Sequence, residues 1–95
     1  MAEPFPTGYL NGEYLPLAAV RISPFDRGFL FGDGVYEVVP VHRGRPFLLR
    51  AHPDRLARSL AAIRVANPRT HEQWAGIVGE LASRAGVPEQ LVYLQ

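Results

Sequence analysis

A glycine-rich segment leads directly into a strand in the stretch Asp26-Arg27-Gly28-Phe29-Leu30-Phe31-Gly32-Asp33-Gly34-Val35-Tyr36-Glu37-Val38-Val39. Three glycines and two aspartates interrupt its apolar residues, which is typical of a tight loop. Beyond the loop, Val35, Glu37 and Val39 fall on one parity while Tyr36 and Val38 fall on the other, and this alternation predicts a strand. We therefore expect a loop that brings Tyr36 to a functional site, as in an enzyme.

Further short strands are predicted on both sides of this stretch. Upstream, Asn11-Gly12 lies between two apolar pairs and predicts a hairpin, and at most one short strand follows near Val20-Ile22. Downstream, Arg43-Gly44-Arg45 predicts a turn into a second strand over residues 46–49. A final buried strand is predicted at residues 91–94.

Two helices are predicted in the second half of the chain. The first extends from about Pro53 to Val65 and repeats apolar residues at i, i+4 and i+7. The second follows a capping box formed by Thr70 and Gln73 and ends before Gly86. Together these elements predict an α+β fold with two layers, in which a mainly antiparallel sheet packs against two helices.

The composition is that of an ordinary globular domain, with 47% apolar residues, 20% charged residues and a formal net charge of +1. Such a balance predicts no nucleic-acid partner. The apolar stretches are too short to span a membrane, and the first six residues carry no secretory signal, so we expect a cytoplasmic location. Cysteine is absent, and the spacing of His42, His52 and His71 predicts no metal site.

The chain has no lysine, because all 10 residues counted as lysine or arginine are arginines. These 95 residues therefore offer no amine for chemistry that requires one, and the serines lack the context of a nucleophile. We expect no catalytic residue in this chain. The last predicted strand stops at Gln95 without a turn or tail, which suggests part of a longer protein.

Several residues are candidates for ligand binding, each with a plainer alternative. Arg55 lies in the first turn of a predicted helix, where its guanidinium suits a phosphate, but it also fits as one of several solvated arginines. Tyr36 either offers its hydroxyl to a ligand or packs its ring in the core. Glu37 points to the opposite face, where a strand carboxylate is usually solvated or paired with an arginine. The glycines either cradle an anion or only shape a turn, and their spacing is not that of a dinucleotide site.

The stretch 26–38, followed by His52-Pro53-Asp54-Arg55-Leu56, closely resembles the class IV pyridoxal-phosphate aminotransferases. The resemblance covers nearly the whole chain, from Tyr9 to Gln95. It implies that residues 1–95 form the small N-terminal α/β domain of a longer two-domain enzyme. The cofactor, pyridoxal 5'-phosphate, would lie in the cleft between this domain and a larger C-terminal domain, usually in a homodimer.

Carried over to this sequence, the resemblance implies that Arg55 binds the cofactor phosphate. It also implies that Tyr36 helps to form the pocket for the substrate carboxylate and that Val38 is its apolar neighbour. The Schiff-base lysine would lie beyond Gln95, in a C-terminal domain that this chain lacks. We therefore expect these residues alone to be inactive.

Within this family, the residues Gly-Asp-Gly-Val-Tyr-Glu-Val of the first motif, at positions 32–38, favour enzymes that transfer an amino group between a D-amino acid and a 2-oxo acid. A branched-chain aminotransferase or an aminodeoxychorismate lyase is the alternative, because substrate choice depends on residues downstream. An alternative from another class is a catalytically inactive binding or assembly module. If the chain is instead part of a longer enzyme, we expect the isolated domain to self-associate through apolar surface that a C-terminal domain normally covers.

Overall fold

The computed structural model describes residues 5–47 and 51–95. Its elements, in chain order, are β1 (Thr7–Leu10), β2 (Glu13–Pro16), a 3-10 helix (Leu17–Ala19), α1 (Arg27–Leu30), β3 (Glu37–His42), β4 (Arg45–Pro46), α2 (Ala51–Ala62), α3 (His71–Ala85) and β5 (Gln90–Leu94). Both sheets in the described part are antiparallel. The predicted α+β fold is confirmed.

The first hairpin forms a sheet of its own, in which β1 pairs with β2. Asn11 and Gly12 occupy its turn with φ angles of 50° and 94°, the left-handed values that a two-residue hairpin turn of this kind requires. The hairpin is joined to the segment just before α3 by a hydrogen bond from Arg69 Nη2 to the Tyr9 hydroxyl at 2.9 Å. The turn is therefore the one that the Asn-Gly pair predicts.

The second sheet has the order β4-β3-β5, so the last strand pairs with the strand that follows the glycine-rich loop. The register places Val39 opposite Val92 and Glu37 opposite Leu94. The inner face of this sheet forms the core with α3. Its buried residues are Val39, Val41, Val78, Ala82 and Val92.

The start and end of α3 and the end of α2 each have an identifiable cause in the backbone or its hydrogen bonds. The capping box of α3 is present, with Gln73 N–H donating to Thr70 Oγ1 at 3.1 Å and Thr70 N–H donating to Gln73 Oε1 at 2.9 Å. Gly86 ends α3 with a φ of 70°, as predicted. Helix α2 ends at Ala62 rather than at the predicted Val65, because Arg64 adopts a left-handed φ of 59°.

The connecting segments differ in detail from the prediction. Near residues 20–22, where at most one short strand was predicted, none forms. Instead, Val20 N–H donates to the Leu17 carbonyl and closes the 3-10 turn. The Arg21 side chain donates from Nη1 to the carbonyls of Ala18 and Val20. These groups are thus used in local hydrogen bonds rather than in pairing with another strand. The glycine-rich loop contains α1, a single helical turn. The predicted strand at 46–49 begins one residue earlier, at Arg45 in β4, and its residues 48 and 49 lie outside the described part.

The outer face of the β4-β3-β5 sheet carries exposed apolar side chains. Tyr36 stacks on Tyr93 with ring centroids 5.8 Å apart, and Val38 lies opposite Tyr93 in the register. Leu91 is 69% exposed and Tyr93 is 57% exposed. The predicted last strand is present as β5, but only its Val92 is buried, so the prediction that this strand is buried was wrong. We call Tyr36, Val38, Pro40, Leu91 and Tyr93 the outer sheet face.

Candidate functional site

The glycine-rich loop is braced by its own polar side chains. Asp26 accepts a hydrogen bond from Gly28 N–H at 2.8 Å and so caps α1. Arg27 Nε donates to Asp33 Oδ2 at 2.7 Å, and its guanidinium lies 4.6 Å from the centre of the Phe31 ring. These contacts hold residues 26–33 together in the loop that precedes β3.

An open depression of about 390 Å³ lies where β3 begins. It is lined by Tyr36, Glu37, Val38, Arg55 and Ser59. Arg55 and Ser59 are one turn apart on α2, and the other three are consecutive at the start of β3. The fold thus brings together Arg55, Tyr36 and Val38, the three residues that the sequence singled out.

Glu37 is the most unusual residue of this depression, because its carboxylate is buried and holds two partners. Only 5% of its surface is exposed. Arg55 binds both carboxylate oxygens, with Nε donating to Oε2 at 2.8 Å and Nη2 donating to Oε1 at 2.7 Å. His52 Nδ1 lies 2.9 Å from the same Oε1. Such a bidentate, charge-assisted pair is the arrangement that offsets the cost of burying a carboxylate.

The charge of Glu37 also determines the tautomer of His52. The hydrogen bonds from Arg55 lower the pKa of Glu37 from its ordinary 4.5 to about 2, with a further lowering by His52, although burial acts in the opposite direction. An ionised carboxylate only accepts hydrogen bonds, so Nδ1 of His52 must carry the proton. The 3.4 Å contact between Arg55 Nη2 and His52 Nδ1 therefore joins two donors that converge on one oxygen.

The remaining donors of Arg55 suit an anionic ligand. Its side chain is 54% exposed, and Glu37 occupies only the edge formed by Nε and Nη2. Among the described residues, Nη1 has no hydrogen-bond partner, and neither has the Ser59 hydroxyl. A guanidinium edge beside a hydroxyl is a donor set that fits a phosphate. The residues present are thus compatible with the phosphate of pyridoxal 5'-phosphate.

Tyr36 directly precedes β3 and lies on the exposed side of the sheet. Its ring stacks on Tyr93 rather than entering the core, and 64% of its surface is exposed. Of the two arrangements open to Tyr36 from the sequence, the structure has the accessible one. Val38 is half-buried on the same face.

Sequence reasoning missed Glu37, His52 and Ser59 as members of this site. One signal for Glu37 was present, since it shares its parity with Val35, Val39 and Val41, and a charge among apolar residues of one strand face implies a buried partner. Its pairing with an arginine was one of the two arrangements expected. No comparable signal marks Ser59, which the helical spacing places one turn after Arg55.

Residues 5–47 and 51–95 contain no group of three or more acidic or histidine side chains that could hold a metal ion. None of the helices described there has the length and hydropathy needed to cross a membrane.

Comparison with known proteins agrees with the resemblance of the two motifs. Residues 34–95 match the family model of amino-transferase class IV. The chain is 31% identical to a D-alanine aminotransferase of Staphylococcus haemolyticus over 92% of its own length. It is 38% identical to a putative branched-chain-amino-acid aminotransferase of Methanocaldococcus jannaschii over 76% of its length. It is also 44% identical to an aminodeoxychorismate lyase of Bacillus subtilis over 60% of its length.

These alignments cover only part of each relative. They span 31% of the D-alanine aminotransferase, 25% of the branched-chain aminotransferase and 20% of the lyase. The family model nevertheless matches more than half of this chain, and the matched residues include β3, α2, α3 and β5. On this basis the chain belongs to the class IV aminotransferase family.

Proposed function

We propose that the chain forms part of a pyridoxal-phosphate-dependent aminotransferase, in which Arg55 binds the cofactor phosphate while Tyr36 and Val38 line the substrate pocket. The observation that carries this proposal is the depression at the start of β3, where the three residues meet. When bound, the cofactor serves as an electron sink for bonds to the α-carbon. The residues of this chain would bind the cofactor and the substrate and orient them.

Each of these residues has a role that follows from its position. Arg55 keeps donors free on one edge of its guanidinium, and a fork of this kind binds phosphate oxygens more specifically than a point charge does. Tyr36 offers a hydroxyl on an accessible ring, which suits a carboxylate. Val38 adds an apolar wall beside it. Ser59 supplies a second hydroxyl near Arg55.

A D-amino acid is the substrate class that we propose. The D-alanine aminotransferase aligns over 92% of this chain, whereas the branched-chain aminotransferase aligns over 76% and the lyase over 60%. An alignment of that width necessarily includes the loop before β3 and Tyr36. The partners that we propose are the amino acid, its 2-oxo acid acceptor, a C-terminal domain that supplies the lysine, and a second subunit in a homodimer.

The direct test uses the full-length protein loaded with pyridoxal 5'-phosphate. D-alanine, a branched-chain L-amino acid and aminodeoxychorismate are offered separately, the amino acids with a 2-oxo acid acceptor. We expect pyruvate to form from D-alanine only when the acceptor is present. If the branched-chain amino acid is turned over and D-alanine is not, the protein is a branched-chain aminotransferase instead. If pyruvate is released from aminodeoxychorismate without an acceptor, the protein is an aminodeoxychorismate lyase.

Arg55→Ala in the full-length protein should weaken cofactor binding. Loss of a charge-assisted contact to phosphate costs about 1.5 to 3 kcal/mol. The dissociation constant of pyridoxal 5'-phosphate, measured by absorbance titration, reports this loss. Arg58→Ala is the matched control, because Arg58 is an exposed arginine of α2 outside the lining of the depression. Unchanged cofactor affinity in Arg55→Ala would remove Arg55 from the site.

A further inference from the structure

Glu37 and Arg55 are linked more tightly than any other acid and base in the described residues. The carboxylate receives both Nε–H and Nη2–H of Arg55 and, on Oε1, the Nδ1–H of His52. Glu37 is buried and His52 has 16% of its side chain exposed, whereas Arg55 is 54% exposed. The carboxylate is thus the fixed member of the pair and the guanidinium is the member that reaches solvent.

This arrangement divides the donors of Arg55 into two sets. The edge formed by Nε and Nη2 is held by Glu37, and an anion in the depression can use only Nη1 and the remaining hydrogen of Nη2. A free arginine side chain samples many rotamers, and a ligand that fixes it loses affinity in doing so. Because Glu37 is itself held by β3 and His52, it restrains Arg55 before any ligand arrives.

We propose that Glu37 is a positioning residue, which orients the Arg55 guanidinium by one edge so that its other edge is ready for the cofactor phosphate. This inference rests on the proposed function, in which Arg55 is the phosphate ligand. Glu37 itself touches no substrate or cofactor in this role. His52 supports it by holding Oε1 through its Nδ1–H.

The opposite arrangement makes a different prediction. If Glu37 competed with the phosphate for Arg55, removing its charge would free the guanidinium and strengthen phosphate binding. If Glu37 only stabilised the fold, its loss would weaken all ligands of the site equally. The three roles of Glu37, which are positioning, competition and stabilisation of the fold, therefore differ in how its loss changes the contribution of the phosphate group to the affinity.

The test compares pyridoxal 5'-phosphate with pyridoxal, which lacks the phosphate, in the full-length protein. The ratio of the two dissociation constants measures the phosphate preference and is insensitive to a general loss of stability. Glu37→Gln should lower this preference about two- to tenfold, the effect of leaving one long side chain to be ordered by the ligand. Glu89→Gln is the matched control, because Glu89 also accepts from a histidine Nδ1, that of His42 at 2.9 Å, but outside the depression.

Several outcomes would overturn the proposal. An unchanged or increased preference in Glu37→Gln, with a decrease in Arg55→Lys, would remove the positioning role and leave the proposed function intact. A wild-type protein that binds pyridoxal 5'-phosphate no more tightly than pyridoxal would refute Arg55 as the phosphate ligand, and the positioning role with it.

A second measurement keeps the proposal testable if Glu37→Gln fails to fold. Nitrogen-15 NMR of the wild-type arginine side chains is recorded while inorganic phosphate is added, with the Arg55 signal assigned from Arg55→Lys. We expect the Nε–H signal of Arg55 to keep its chemical shift at saturating phosphate, because Glu37 continues to hold it. A shift towards the value of a solvated arginine would show that the anion displaces Glu37, and would overturn the proposal.

Discussion

Glu37 carries its negative charge at a position that water hardly reaches. A buried carboxylate is tolerated when opposite charge and hydrogen bonds replace its hydration, and here Arg55 and His52 do so from the first two turns of α2. The same bonds join the start of β3 to α2, which are 15 to 18 residues apart in sequence. One side chain therefore contributes both to the packing of the helix and to the candidate site.

The pairing of Glu37 makes stability depend on pH. Its pKa is about 2 in the folded protein, below the ordinary 4.5, so the pairing is fully present above pH 4.5 and is lost as the pH falls towards 2. Glu37→Gln should cost about 1.5 to 3 kcal/mol at pH 7. We expect the difference in free energy of unfolding between wild type and variant, measured with urea, to narrow between pH 4.5 and pH 2.5. A constant difference across this range would contradict the pairing.

At the scale of elements, α3 is the clearest case of local sequence deciding structure. Its capping box lies within four residues, and its end depends on a glycine that reaches φ values other residues avoid. Both features were predictable because their partners are close in the chain. Helix α2 was predicted less well, since its early end depends on the backbone conformation of Arg64, which no local pattern indicates.

Thr70→Ala should destabilise the protein by about 1 kcal/mol, because the hydroxyl that accepts from Gln73 N–H is lost. Thr70→Ser is the control, as it keeps the hydroxyl and should retain most of the stability. Urea unfolding followed by circular dichroism measures both. Equal stability of Thr70→Ala and wild type would show that the cap contributes nothing to α3.

At the scale of the whole molecule, the two faces of the β4-β3-β5 sheet differ sharply. The inner face packs on α3 and holds the core, while the outer sheet face exposes Tyr36, Leu91 and Tyr93. Adjacent exposed apolar residues of this kind are typical of an interaction surface. Since Tyr36 also lines the depression, the outer sheet face and the candidate site are continuous.

The 95-residue chain on its own should self-associate through the outer sheet face. Leu91→Glu places a charge at its most exposed apolar side chain and should shift the chain towards monomer in sedimentation velocity. Ile22→Glu is the matched control, because Ile22 is 55% exposed but lies in the connection before α1. A wild-type chain that remains strictly monomeric at high concentration would contradict this prediction.

The sequence by itself determined the features whose causes are local: the Asn-Gly hairpin, the capping box, the glycine that ends α3, and the α+β pattern that these elements build. Its motifs, which carry a family resemblance, also singled out Arg55, Tyr36 and Val38 as candidates. Only the tertiary structure decided that these three meet in one depression, and that Glu37 and His52 hold Arg55 there. Those contacts join β3 to α2 across 15 or more residues, and their geometry depends on how strand and helix pack rather than on any pattern within either one.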